Sequence, residues 1–326
     1  MAKKDKNNTF VSVMKIFFEG VKLYFLNFEK FFKYLAFPIL GQMIGIILIF
    51  SASYIFTLHV STLTTKSPVF DNIPVVFLIL ALLTLPGFFI FCKSFWDYLI
   101  AMASLNSMAS TLIEGGKLDD LEIHSELIKR RAGSYIFFML LISLIYLLLS
   151  FPILWGLLAI AFVYLALSFQ VFALEEEKSA IGAIKQSINL VKFNFWKTAL
   201  LLIILGIFTY WLVPGLVSWG FNTGNLTGFF SYPVEQYIKL LPLNDINLIL
   251  EQWHINYVLK SHVISQSIVL GFVSVAVTGF SLPLRSICCT ILYKDIINRN
   301  YAGKIAADKL AQRANSTKKK NVEDKE

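Results

Sequence analysis

Between Gly20 and Leu40 the chain reads GVKLYFLNFEKFFKYLAFPIL, aromatic and aliphatic almost throughout yet interrupted by Lys22, Glu29, Lys30 and Lys33. Apolar residues fall at Phe10, Met14, Phe17, Val21, Tyr24, Phe28 and Phe31, in alternating steps of four and three. That spacing draws one stripe along a helix. Ser12, Lys15, Glu19, Lys22, Glu29 and Lys33 lie largely on the opposite side. The expected element is a helix in the membrane interface, with its apolar face in the acyl boundary and its lysines among headgroups. The stripe could equally pack on the protein's own spans, and the two arrangements are compatible.

Beyond this segment the apolar residues gather into six runs, about 34–58, 74–94, 134–151, 153–174, 198–220 and 263–287. A helix needs about 20 apolar residues to cross a bilayer, so each run predicts a transmembrane span. Ser150 and Pro152 mark a tight uncharged hairpin between the third and fourth. Only Pro86 interrupts the chain from Pro74 to Ile113, and so long a helix extends about 60 Å. It must kink at Pro86, tilt, or project its end, SLNSMASTLIEGG, beyond the membrane. No short apolar run follows the basic start, so the first span is expected to stay in the mature protein.

The interfacial pattern returns in EEEKSAIGAIKQSINLVKFNFWKTALLLIIL. Ile181, Ile184, Ile188, Val191 and Phe195 are Met14, Phe17, Val21, Tyr24 and Phe28 shifted by 167, and Lys30 lands on Lys197. Lys178, Lys185 and Lys192 line the polar side. A fainter copy, DDLEIHSELIKRRAGSYIFF, keeps the register at Leu121, Ile128 and Tyr135, while His124 and Arg131 break the stripe. Each copy precedes a pair of spans, and the first two pairs end alike, in LIEGGK and LEEEKS. The chain thus reads as three parallel units, each an interfacial helix plus a transmembrane hairpin.

Composition fits this architecture. Hydrophobic residues make up 56%, charged residues 15%, and the mean hydropathy is +0.66, against about 25% charged residues in a soluble domain. The fold class is therefore all-α integral membrane, with six transmembrane helices and amphipathic helices ahead of spans one, three and five, the middle one weakest. Short alternating segments of the barrel type are absent. Of 29 Lys and Arg, 26 fall in 1–33, 93–131, 178–197 and 285–326, and only Lys66, Lys239 and Lys260 lie in the other loops. By the positive-inside rule both termini are cytoplasmic. Anionic lipid headgroups account for the net charge of +8 better than nucleic acid, for which no motif exists. Residues 1–303 form the membrane domain, and 304–326 are expected as a basic, disordered cytoplasmic tail.

Two stretches carry a family resemblance: ALEEEKSAIGAIKQSINLVKFNFWK leading into a span, and LPLRSICCTILYKDIINRN at the end of the last one. They resemble a bacterial family of integral membrane proteins of unknown function, related to the membrane domain of glycerophosphodiester phosphodiesterases. Tyr293, Asp295 and Arg299 match that family's Tyr-x-Asp-x-x-x-Arg-like end. The resemblance implies a membrane anchor or lipid-associated helper in the bacterial cytoplasmic membrane. Phosphodiesterase chemistry is not implied, because it needs a separate barrel of about 250 residues.

Catalytic signatures are missing. His59, His124, His254 and His262 are scattered, and there is no H-E-x-x-H, G-x-S-x-G or P-loop. No enzyme activity, metal or cofactor is expected. Cys92, Cys288 and Cys289 read as small apolar filler. Ionisable residues near spans are the better lead. Asp97 is expected to pair with Lys93, with Arg285, or with both, unless all three reach headgroup level instead. Gln42, between Gly41 and Gly45, marks helix packing. The outer segment 213–262, rich in Trp and Tyr, holds short amphipathic helices around VEQYIKLL and INLILEQWHINYVLK that lie on the outer interface or cap the bundle. The sequon Asn225-Leu226-Thr227 carries no weight in a bacterial chain.

Two functions follow. One is a non-enzymatic scaffold or lipid-associated helper, gripping the cytoplasmic leaflet through Lys15, Lys22, Lys178, Lys185 and Lys192 and their apolar stripes. Its partners are membrane lipids and an unidentified membrane protein. The other is a transporter or lipid-handling permease with a polar path on Asp97 and Arg285.

Overall fold

Long runs of Leu, Ile, Phe and Ala, with every backbone N–H and C=O needing a partner away from water, leave the helix as the local solution. The computed structural model describes residues 2–66, 72–118, 121–255 and 258–323, with the side chains of 2–8, 61, 63–66 and 300–323 outside the description. It is 88% helical, and the described residues contain no strand. Six helices are long and apolar enough to cross a membrane: Phe28–Val60, Ile73–Ile113, Ala132–Leu149, Pro152–Leu174, Phe195–Thr223 and Ser261–Arg299. Each coincides with one expected span.

In chain order the helices are α1 (Ala2–Leu26), α2 (Phe28–Lys66), α3 (Ile73–Ile113), α4 (Leu121–Arg130), α5 (Ala132–Leu149), α6 (Trp155–Tyr164) and α7 (Ser168–Leu174). Then come α8 (Ala180–Lys192), α9 (Phe195–Gly206), α10 (Val213–Thr223), α11 (Leu226–Ile238), α12 (Leu243–Gln252) and α13 (Ser261–Glu323). Pro86 lies inside α3, which continues through it. Residues 304–323, expected as a disordered tail, belong to α13. The chain divides into two units. One comprises Met1–Leu26, Ala103–Ile203 and Leu284–Glu326; the other comprises Asn27–Met102 and Ile204–Pro283.

In the first unit α1 buries Val13, Ile16, Phe17, Gly20 and Tyr24, and burial pushes the Tyr24 phenol up to about 12. A Cβ on Gly20 would collide with Cys288 Sγ, so glycine lets α1 lie directly on α13. Val11, Phe18 and Phe25 remain exposed beside exposed Lys15, Glu19 and Lys22. The helix therefore has two apolar sides, one packed and one open.

Helix α8 repeats the packed side in register. Ala180, Ala183, Ser187 and Val191 are buried, as are Val13, Ile16, Gly20 and Tyr24 at the same shift of 167. Ser179 caps α8 by accepting the Gly182 N–H at 3.2 Å, and Ser187 donates to the Tyr164 carbonyl at 2.7 Å. In the fainter copy Ser125, Ile128 and Tyr135 are buried, and Leu121 is half-buried. Beneath these helices Phe138 stacks on Phe172 with centroids 4.8 Å apart, and Tyr135 lies 5.7 Å from the same ring.

The second unit is built on small residues. A Cβ on Gly41 would run into Ser94 Oγ, and one on Gly45 would lie 2.8 Å from the Gly87 carbonyl oxygen. Helices α2 and α3 thus approach backbone to backbone, as small-x-x-x-small faces allow in membranes. The expected role of Gly41 and Gly45 in packing is the observed one, and Gln42 donates to the Pro38 carbonyl at 2.6 Å. Phe32 stacks on Phe280 at 4.7 Å. Helices α11 and α12 take in 234–238 and 246–252 of the two expected amphipathic stretches; Asn256 and Tyr257 lie outside the described residues. Helix α11 is tied to α2, with the Tyr237 ring 5.2 Å from Tyr54 and 6.1 Å from Phe50. Asn247 clamps the turn before α13, accepting from Leu259 N–H at 2.8 Å and donating to its carbonyl at 3.2 Å.

Candidate functional site

The densest polar arrangement is in the first unit, where the ends of α3 and α7 meet α13. Three consecutive residues of α13 each reach a different element. Tyr293 donates its hydroxyl to Glu175 Oε1 at 2.6 Å, just past α7. Lys294 donates to Glu114 Oε1 at 2.6 Å and to the Ser110 carbonyl at 3.0 Å, at the end of α3. Asp295 accepts from Lys197 Nζ of α9 at 2.6 Å and from Arg299 Nε at 3.2 Å. Consecutive helical residues point about 100° apart, so one turn of α13 can address three neighbours at once.

Glu114 is the acid of LIEGGK and Glu175 the first of the three in LEEEKS, so the similar ends of the first two span pairs dock on one turn of the last span. Glu175 also accepts from Gln186 Nε2 at 3.1 Å, which ties α8 to the same point. Lys294 beside Glu114 holds that carboxyl below the usual carboxylate range. Gly115, with φ of 81°, closes the turn after α3 in the left-handed region that glycine adopts freely.

The pairs differ in worth. The Lys197 side chain is only 7% exposed and Asp295 32%, so this pair is largely withdrawn from solvent. Removing Asp295 would leave the enclosed Lys197 charge without this partner, whereas Asp295 without Lys197 would keep Arg299. Glu114 is 69% exposed, and its pair with Lys294 is correspondingly screened.

Arg131, a break in the stripe by sequence, fastens the same region. Its guanidinium donates to the Phe172 carbonyl at 3.0 Å and the Lys178 carbonyl at 2.6 Å, and lies 4.4 Å over the Phe172 ring. A cation at the last turn of α7 satisfies a terminal carbonyl and complements the helix dipole. The other break, His124, meets Ser107 Oγ through Nδ1 at 2.9 Å. Deeper in, Gln170 donates to Asn106 Oδ1 at 3.0 Å, both side chains being buried.

The residues singled out by sequence fall in separate places. Tyr293 and Asp295 lie in this junction, and Arg299, largely exposed, reaches it through Asp295. Lys93 binds both carboxylate oxygens of Asp97 at 2.6 Å, a local pair one turn apart in α3 of the second unit. The Arg285 guanidinium, in the first unit, lies 5.3 Å over the Phe162 ring. Lys15, Lys22, Lys185 and Lys192 are exposed and Lys178 half-buried. Lys192 Nζ sits 5.8 Å over the exposed Phe193 ring.

Glu114, Glu175, Lys197, Lys294 and Arg131 were not singled out as site residues. The signals for them were present: the acidic ends of two span pairs, and the landing of Lys30 on Lys197 under the 167 shift. Cys288 and Cys289 are buried and Cys92 exposed, all as free thiols. Among the described residues no three His, Cys, Asp or Glu side chains are grouped to hold a metal ion. What the junction offers chemically is the joining of helix ends through alternating charges. No family model, no curated protein and no solved structure matches the chain.

Proposed function

We propose that the chain is a non-enzymatic, lipid-associated scaffold of the bacterial cytoplasmic membrane, with both termini cytoplasmic, that grips the inner leaflet through α1 and α8. The observation that carries this reading is the second apolar side of α1. Val11, Phe18 and Phe25 stay exposed although the helix already buries a full face, and Lys15 and Lys22 flank them. Helix α8 supports it with exposed Ile181 and Ile188 beside Lys185 and Lys192, and with Phe193 and Trp196 just beyond. A helix with an apolar side next to lysines settles at the headgroup boundary. Each Lys near an anionic surface adds about 1 kcal/mol.

In this reading the charged junction on α13 is the frame that holds both interfacial helices in place. Lys93 and Phe162 give Asp97 and Arg285 local partners, which favours the scaffold over a permease with a path on those two residues.

The test is spin-label accessibility in reconstituted vesicles, with single labels at positions 15, 18, 22 and 25. Labels at 18 and 25 should collide with oxygen and be shielded from a water-soluble nickel reagent, while 15 and 22, at the edge of the same side, are more accessible to the nickel reagent. Aqueous accessibility at 18 and 25 would refute the grip.

A further inference from the structure

The second unit holds a half-open cavity of about 740 Å³ among its spans, within the range of roughly 300–1,000 Å³ typical of small-molecule sites. One wall is α2, through Ile39, Gln42, Met43 and Ile46. The facing wall is α13, where Gly271, Ser274, Val275, Thr278 and Gly279 are small and Ile268 and Phe272 are bulky. These positions follow the spacing of a single helix face. The small residues among them leave much of the space.

The cavity narrows along its length. At Gly279 a Cβ would lie 2.9 Å from Ile39 Cδ1, so the two walls touch. Eight residues earlier a Cβ on Gly271 would meet nothing within 4 Å. Over those two turns, about 12 Å, a closed end widens into an open one. Tyr210 forms part of the lining and belongs to the π-helical turn Ile207–Leu212. Such turns re-aim side chains and recur at functional sites.

The lining contains no Asp, Glu, Lys or Arg; its polar groups are Gln42, Tyr98, Tyr210, Ser274 and Thr278. A phosphate would find no cation here, and an ion no counter-charge. A hydroxyl or ester oxygen would find neutral hydrogen-bonding groups along an aliphatic slot. We infer that this cavity binds one acyl chain of an uncharged glycerolipid of the diacylglycerol class, the chain lying along the slot with its ester and hydroxyl oxygens within reach of the polar side chains spread through the lining. The site is separate from the interfacial grip, so either can fail without the other.

The experiment uses the full chain in vesicles with a diacylglycerol bearing a diazirine in one acyl chain, and phosphatidylglycerol bearing the same chain. After irradiation, adducts are mapped by mass spectrometry. Diacylglycerol should label 39–46 and 268–279 preferentially over span three, which serves as the bulk-lipid reference. Gly271→Leu, whose new side chain enters open space, should lower that label. The competing solvent is itself acyl chain, so the drop reflects lost packing contacts rather than exposure to water. Ser274→Leu provides a second filling variant, and the melting curve of each confirms folding. Equal labelling by phosphatidylglycerol, label spread evenly over all spans, or label unchanged in both folded variants would each overturn the inference.

Discussion

Lys197 and Asp295 lie 98 positions apart in the chain, yet their side chains meet at 2.6 Å with the lysine almost wholly enclosed. This contact joins the start of span five to the end of span six. Breaking a fully buried pair by removing one partner costs about 3–5 kcal/mol. Asp295 keeps about a third of its surface, so Asp295→Asn, which leaves the enclosed lysine without this partner, should cost about 2–3 kcal/mol, and Lys197→Met, which leaves Asp295 with Arg299, clearly less. The double variant should lose clearly less than the sum, as coupled neighbours do. Thermal unfolding in detergent, run as a double-mutant cycle, measures this.

The Glu114–Lys294 pair gives stability a dependence on acid. Lys294 depresses the folded-state carboxyl pKa, so its contribution is fully present above the unfolded value of about 4.3. It is lost as pH falls through the lower folded value. Melting temperatures of the native chain should therefore drop more between about pH 5 and pH 3 than those of Glu114→Gln. The difference should be modest, because the carboxylate is exposed. Parallel curves would show that the pair contributes nothing.

Gly45 and Gly87 let two spans touch through their backbones. A methyl group on Gly45 would sit 2.7 Å from the Phe91 nitrogen and 2.8 Å from the Gly87 carbonyl oxygen. Gly45→Ala should therefore destabilise by about 1–3 kcal/mol, the usual range for overpacking. Gly156, whose added Cβ would meet nothing within 4 Å, provides the control. Gly156→Ala should be neutral or slightly stabilising in the same unfolding assay.

Arg131 supplies two hydrogen bonds to carbonyls and a ring contact. Arg131→Met keeps much of the apolar stem and loses both bonds, and should cost about 3 kcal/mol, the low end for two bonds to a charged group at about 1.5–3 kcal/mol each, because Arg131 is only half-buried. Hydrogen exchange should rise over residues 172–180 first. Protection unchanged there would assign the loss elsewhere.

Orientation is open to direct labelling. In a chain with Cys92, Cys288 and Cys289 replaced by alanine, Ser150→Cys and Glu176→Cys are probed in intact cells with an impermeant maleimide. Ser150→Cys should react from outside, and Glu176→Cys only after lysis. Reaction of both from the same side would invalidate the alternate threading.

The number and helical type of the spans were legible in the sequence because a bilayer imposes local conditions: about 20 apolar residues per crossing, with all backbone groups paired within the segment. The register of α1 against α8 was legible for a similar reason, since helical periodicity is a property of neighbours in the chain. What periodicity leaves open is which apolar side docks when a helix has two. Phe17 and Phe18 are adjacent and chemically identical, yet α1 buries the first and exposes the second. Partner choice is open as well: Asp97 found its cation one turn away on its own helix, whereas Tyr293, Lys294 and Asp295 each found theirs on another element. Those pairings depend on helix ends brought together by packing, and composition carries no record of that. The chain by itself determined a six-span helical protein with its basic residues on alternate loops. Tertiary structure alone decided the junction on α13 and the tapered slot between Ile39 and Gly271, because both arise from distances between segments that no local pattern encodes.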